Sequence, residues 1–126
     1  MDARRNTHLD RVKYFFGYSY TFGEGADGGH STLHKVLKIP TWIEDVVGHL
    51  RAKRAIPLDM SVDMAVLNLY NQPKASLGVH MDSKELFKRP VVSVRLFGDH
   101  VLSFGALYKS VLTPSRRTTL GLTRLR

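Results

Sequence analysis

The chain has 126 residues, enough for one domain with a real core and for little more. Hydrophobic residues make up 43% of it, a globular balance, and it contains no cysteine, so disulfides and thiolate metal sites are excluded. The net charge of +8 points to a polyanionic partner, of which nucleic acid is the commonest. No apolar run approaches the length of a membrane span, and the opening "MDARRNTHLDR" lacks the apolar core of a secretory signal. The expectation is a soluble intracellular protein with no membrane contact.

The elements follow in chain order. Residues 13–23, "KYFFGYSYTFG", are aromatic and β-prone, are interrupted by Gly17 and read as a hairpin or two short strands, with Phe15 and Phe16 in the core. A glycine-rich loop, "EGADGGHS", follows. Pro40-Thr41 opens the clearest helix: Thr41 as N-cap and Glu44 three residues later make a capping box. Trp42, Ile43, Val46, Val47 and Leu50 supply the apolar stripe, and Arg51, Lys53 and Arg54 suit the negative end of the helix dipole. "MAVLNLYN", 64–71, reads as a strand, "NQPKASLG" as a turn-rich connection and "VVSVRLF", 91–97, as a second strand. "GDH" then turns the chain, and "VLSFG" pairs back. One helix with a run of short strands predicts an α+β domain that is mainly β, under an N-terminal helical cover.

Two features stand out chemically. In "LGVHMDSKE", His80 and Asp82 share one face if the segment is extended, and a histidine with a carboxylate can supply two ligands of the facial site used by non-haem iron oxygenases. The spacing alone does not separate a metal pair from two polar residues in passing, because His8-Leu9-Asp10 repeats it. Asn68 and Tyr70 also share a strand face, and a polar amide inside an apolar run needs a partner. Charge is uneven as well. Asp99 is the last acid, and Lys109, Arg116, Arg117, Arg124 and Arg126 follow it, either as a phosphate-binding tail or as a solvated end.

"AVLNLYNQPKASLGVHMDS" followed by "RPVVSVRLFGDHVLSFG" resembles the AlkB family of Fe(II)/2-oxoglutarate-dependent dioxygenases. Upstream, "KYFFGYSYTFG" and "IPTWIEDVVGHLRAKRAIP" resemble its RNA N6-methyladenosine demethylase branch. The likeness runs from about Arg11 to Gly105 in ordered blocks, and 106–126 diverges from it as a basic tail. The resemblance implies a single domain over 1–126 with a double-stranded β-helix (jelly roll) and a recognition hairpin. It implies His80 and Asp82 as iron ligands and Asn68 and Tyr70 as the pair that hydrogen-bonds 2-oxoglutarate. Lys13 and Tyr20 become the catalytic residues beside the methylated base, and Arg11 joins them against nucleic acid, on a phosphate. The implied partner is single-stranded RNA or DNA carrying a methylated base, with the protein a nuclear monomer. The implied chemistry is hydroxylation of an N-methyl group and loss of formaldehyde, on an unstacked base.

The third ligand and the arginine pair of the family find no match in sequence. His100, at an expected turn, is a poor substitute; Arg124 and Arg126 lack the spacing; and "TPSRRTTLGLTRLR" does not read like a barrel strand. The fold is therefore expected to be incomplete at the C-terminus, and the chain to turn over poorly alone. Two classes of function follow: an AlkB-like demethylase, or a non-catalytic remnant that binds nucleic acid through its basic surface.

Overall fold

A computed structural model describes residues 3–6, 11–21, 32–72, 75, 77, 82–99 and 117–125. In chain order the elements are β1 (Ala3–Asn6), β2 (Arg11–Phe16), β3 (Tyr18–Thr21), β4 (Thr32–Lys35), α1 (Thr41–Ala52), β5 (Met64–Tyr70), β6 (Phe87–Phe97) and β7 (Arg117–Leu125). Five strands form one antiparallel sheet in the order β1-β2-β5-β7-β6, and β3 pairs with β4. The described architecture is mainly β with one helix.

The β-ladder sorts side chains between two faces, because residues directly opposite in a sheet project to the same side. Phe16 stands opposite Ala65, Ala65 opposite Leu122, Leu67 opposite Leu120, and Val94 opposite Leu120. These residues meet Ile43 and Val47 of α1, with Ile56 and Met60 from the connection behind the helix, in one apolar cluster. Ile43, Met64, Leu120 and Leu122 are fully buried, each contributing about 1.5–3 kcal/mol of transfer free energy. The other face carries Arg11, Lys13 and Phe15 of β2 opposite Tyr70, Asn68 and Val66 of β5.

Gly17 separates β2 from β3. Its φ of +76° suits glycine, and a Cβ there would run into the backbone carbonyl of Asp63. Its N–H donates to Leu37 O at 2.6 Å, and its carbonyl accepts the Val36 N–H at 3.1 Å. The chain therefore leaves the large sheet at Gly17 and starts a second ladder. Of the two readings of 13–23, two short strands interrupted by Gly17 is the one the structure shows: β3 pairs with β4, Tyr20 opposite Leu33, and not with β2. Phe15 lies on the face away from the helix cluster, so of the two phenylalanines only Phe16 is a core residue.

The helix begins one position earlier than a capping box at Thr41 requires. Thr41 is its first residue and Pro40 the cap, with no side-chain capping bond; the Pro40 carbonyl accepts the N–H groups of Ile43 (3.0 Å) and Glu44 (3.3 Å). Trp42 is 41% exposed and does not join the buried stripe. At the other end Ala55 N–H returns to Leu50 O and Arg54 N–H to Arg51 O, both at 2.9 Å, a Schellman closure with Arg54 (φ 54°) in the left-handed position. Arg51 reaches onward from the last turn and donates to Met60 O at 2.6 Å.

The largest correction concerns 117–125. The residues expected to form a divergent basic tail are instead the strand between β5 and β6. Leu120 and Leu122 alternate with Thr119, Gly121 and Thr123, the two-residue period of a sheet strand. The ladder between β6 and β7 breaks its register between Lys88 and Val92, around Pro90, a residue with no N–H to give to a partner. "VLSFG" at 101–105, His8-Leu9-Asp10, His100, Lys109, Arg116 and Arg126 lie outside the described residues.

Candidate functional site

The face away from the helix gathers polar side chains from distant parts of the chain. Lys13 stands directly opposite Asn68, Asn68 opposite Thr119, and Arg11 opposite Tyr70. Lys13 and Asn68 are half-buried; Arg11 (6% exposed), Tyr70 (7%) and Thr119 (6%) are buried. The Arg11 guanidinium carbon sits 6.0 Å from the centre of the Tyr70 ring, and the Lys13 ammonium 5.6 Å from that of Phe15. Both are cation–ring contacts.

Tyr20 covers this face from the second ladder, β3 lying against β2 and β5. Its ring meets Phe15 edge-to-face at 5.7 Å and 87°, and Phe87 of β6 at 5.5 Å and 74°. The aromatic packing and the polar position therefore coexist, and Tyr20 is held from two sides. Burial raises its pKa, the negative charge of Asp82 raises it further, and Arg11 opposes both. Asp82 is thus within electrostatic reach of Tyr20. Lys13 shifts the other way: burial lowers its pKa first, and the neighbouring Arg11 charge lowers it further.

Of the six residues expected to act on iron, co-substrate or base, five are described: Lys13, Asn68 and Tyr70 share one sheet face, Tyr20 lies against it from β3, and the charge of Asp82 acts on Tyr20. His80 and its expected convergence with Asp82 lie outside the described residues. Among the described residues no three His, Asp or Glu side chains come together as metal ligands.

The chain has relatives among known proteins. The chain is 36% identical over 105 residues to RNA demethylase ALKBH5 of Xenopus laevis, covering 79% of this chain and 29% of that protein. It is 38% identical over 106 residues to the ALKBH5 of Xenopus tropicalis (79% and 29%) and to that of Bos taurus (79% and 26%). The chain is a relative of the AlkB-family RNA demethylases. It spans less than a third of the length of these curated relatives, and no protein-family model matches it.

Within this AlkB relative the structure corrects two basic positions. Arg11 was expected to meet an RNA phosphate, but at 6% exposure it offers solvent almost nothing and turns to Tyr70. Arg124 was weighed as a substitute for the family's arginine pair, yet it stands opposite Lys88 and follows the alternation of Leu120 and Leu122, not that of Thr119. In the β5–β7 ladder Arg117 stands opposite Tyr70. Sequence reasoning missed Arg117, the buried Thr119 and the Phe87 ring over Tyr20. The signal for the first two was present in "RTTLGLT", whose alternating leucines mark a strand once the charges around them are set aside.

The donor set suits the group that the family name implies. A neutral imidazole and a carboxylate are acceptable ligands for ferrous iron. An amide and a phenol on one strand face can hydrogen-bond a dicarboxylate such as 2-oxoglutarate. Beside them the proton affinity of Lys13 is lowered and that of the Tyr20 phenol is raised.

Proposed function

We propose that the chain carries the catalytic face of an Fe(II)/2-oxoglutarate-dependent oxidative demethylase acting on N-methylated adenine in single-stranded RNA. The observation that carries this reading is the gathering of Lys13, Asn68 and Tyr70 on one sheet face under Tyr20, brought from β2, β5 and β3, with the charge of Asp82 acting on Tyr20. In it the domain is a jelly roll whose main described sheet holds the site on its helix-free face, monomeric and nuclear.

His80 and Asp82 would hold the iron, Asn68 and Tyr70 the 2-oxoglutarate, and Arg117 stands at the ladder position next to Tyr70. When bound, iron and co-substrate supply the oxidising chemistry. The chain's own residues do the rest. Tyr20, gripped by Phe15 and Phe87, walls the space above the sheet and offers a protonated hydroxyl to the base. Lys13 Nζ releases a proton more readily than an exposed lysine, which suits it to exchange one with the substrate's exocyclic nitrogen. The apolar rings around Tyr20 exclude water from the reacting methyl group.

The test has two parts. Calorimetry with Mn(II) in place of Fe(II) should show 2-oxoglutarate uptake that falls with Asn68→Ala and Tyr70→Phe. Formaldehyde release from a methylated RNA oligomer, absent in Asp82→Ala, establishes turnover. RNA binding without any 2-oxoglutarate uptake would favour the non-catalytic nucleic-acid binder instead.

A further inference from the structure

Among the described residues Arg11 is the basic residue of the site that is more than nine-tenths buried, and its Nε meets no hydrogen-bond partner there. A guanidinium withdrawn from water needs compensation, and a flat aromatic face is one of the few neutral groups that gives it. Arg11 has that face in Tyr70: the two are directly opposite in the β2–β5 ladder, the guanidinium carbon is 6.0 Å from the ring centre, and Tyr70 is itself 7% exposed. Neither side chain has room to act on a solvent-borne polymer. Both have the geometry to fix one another.

We propose that Arg11 is a positioning residue for Tyr70, so that its charge serves the co-substrate side of the site and not the RNA. The proposal rests on the reading of Tyr70 as a 2-oxoglutarate ligand. The guanidinium, laid over the ring, selects one orientation of Tyr70 and thereby aims its hydroxyl. The ladder fixes the spacing of the two residues, so the contact is set by the fold before any ligand arrives.

The experiment compares Arg11→Met, which keeps the stem and loses the charge, with Arg11→Lys, which keeps the charge. Tyr70→Phe and the Arg11→Met/Tyr70→Phe double variant complete a cycle. Circular dichroism and thermal melting confirm folding. Three quantities are read: 2-oxoglutarate affinity by calorimetry with Mn(II), affinity for a fluorescent single-stranded RNA by anisotropy, and the Tyr70 resonance in chain labelled with ¹³C-tyrosine. There are five tyrosines, and Tyr70→Phe identifies the signal.

Arg11→Met is expected to weaken 2-oxoglutarate binding about three- to thirty-fold, the span of a desolvated cation–ring contact. RNA affinity stays within about two-fold, Arg11→Lys recovers part of the loss, and the double variant is no worse than Tyr70→Phe, as for coupled residues. A fall in RNA affinity with 2-oxoglutarate binding unchanged would overturn the proposal, as would losses that simply add in the double variant. If the wild-type chain takes up no 2-oxoglutarate, the function reading fails and takes the co-substrate role of Arg11 with it. The Tyr70 resonance tells the two failures apart, since it moves with Arg11→Met only if the contact itself is real.

Discussion

Asp63 grips the far end of β7 twice: its N–H donates to Thr123 O at 3.0 Å, and its carboxylate Oδ2 accepts the Leu125 N–H at 3.1 Å. Residues 62 apart in sequence are thereby tied at the rim of the sheet. The neighbouring strand adds a weaker tie, Thr123 Oγ1 donating to Met64 O at 3.4 Å. Asp63→Ala removes the charge-assisted bond and is expected to cost about 1.5–3 kcal/mol in urea unfolding, with Asp63→Asn retaining part of it. An unchanged denaturation midpoint in Asp63→Ala would mean that β7 is not anchored there.

Gly17→Ala should be costly for two reasons at once. The residue has a left-handed φ, and the new methyl meets the Asp63 carbonyl, which is itself fixed by the sheet. The expected loss is at least about 2 kcal/mol. Because Gly17 is where β3 departs, hydrogen exchange should speed up most in β3 and β4 and least in β5. Uniform acceleration across both ladders would contradict that placement.

Leu120→Ala tests whether 117–125 is interior. A fully buried leucine in the central cluster should cost about 2–5 kcal/mol when truncated. A solvated basic tail would lose almost nothing on the same change, so a thermal melt of this single variant distinguishes the two.

Lys13 and Tyr20 give opposite signs in the pH dependence of stability. The folded pKa of Lys13 lies below its ordinary 10.5, so the folded chain binds fewer protons than the unfolded one and stability rises as pH climbs from the depressed value to 10.5. The folded pKa of Tyr20 lies above 10.0, so its contribution is present below pH 10.0 and is lost as pH rises through the raised value. Lys13→Met should therefore raise the melting temperature at neutral pH, with an advantage that shrinks towards pH 10.5. Tyr20→Phe should flatten the decline above pH 10. Parallel profiles for wild type and Lys13→Met would show that Lys13 carries no burial cost.

The shared strand face of Asn68 and Tyr70 was legible in the sequence because a strand imposes period two. The helix was equally plain from its stripe, although Trp42 points outward and the cap is Pro40, since a one-residue shift of the start changes which side chain can cap. The strand of Arg117 and Thr119 was legible in its alternating leucines, but their ladder partners were not: charge in a window says nothing about ladder position, which only the pairing with β5 fixes. The role of Arg11 was hidden for a related reason: a basic residue beside Lys13 looks solvent-facing until Tyr70, far along the chain, is laid over against it.

The strand order β1-β2-β5-β7-β6 also has a consequence in time. During synthesis β5 and β6 emerge before the strand that separates them, so neither can complete its hydrogen bonds on that side until residues 117–125 leave the ribosome. The early chain can pair β5 with β2 on one side, but the other edge of β5 and the matching edge of β6 stay open until β7 arrives. Asn68 and Tyr70 sit on β5, beside that gap. The polar face they belong to is thus completed only at the final stage, when Thr119 joins it, and a nascent chain arrested before residue 117 should expose the open edges of β5 and β6 to chaperones.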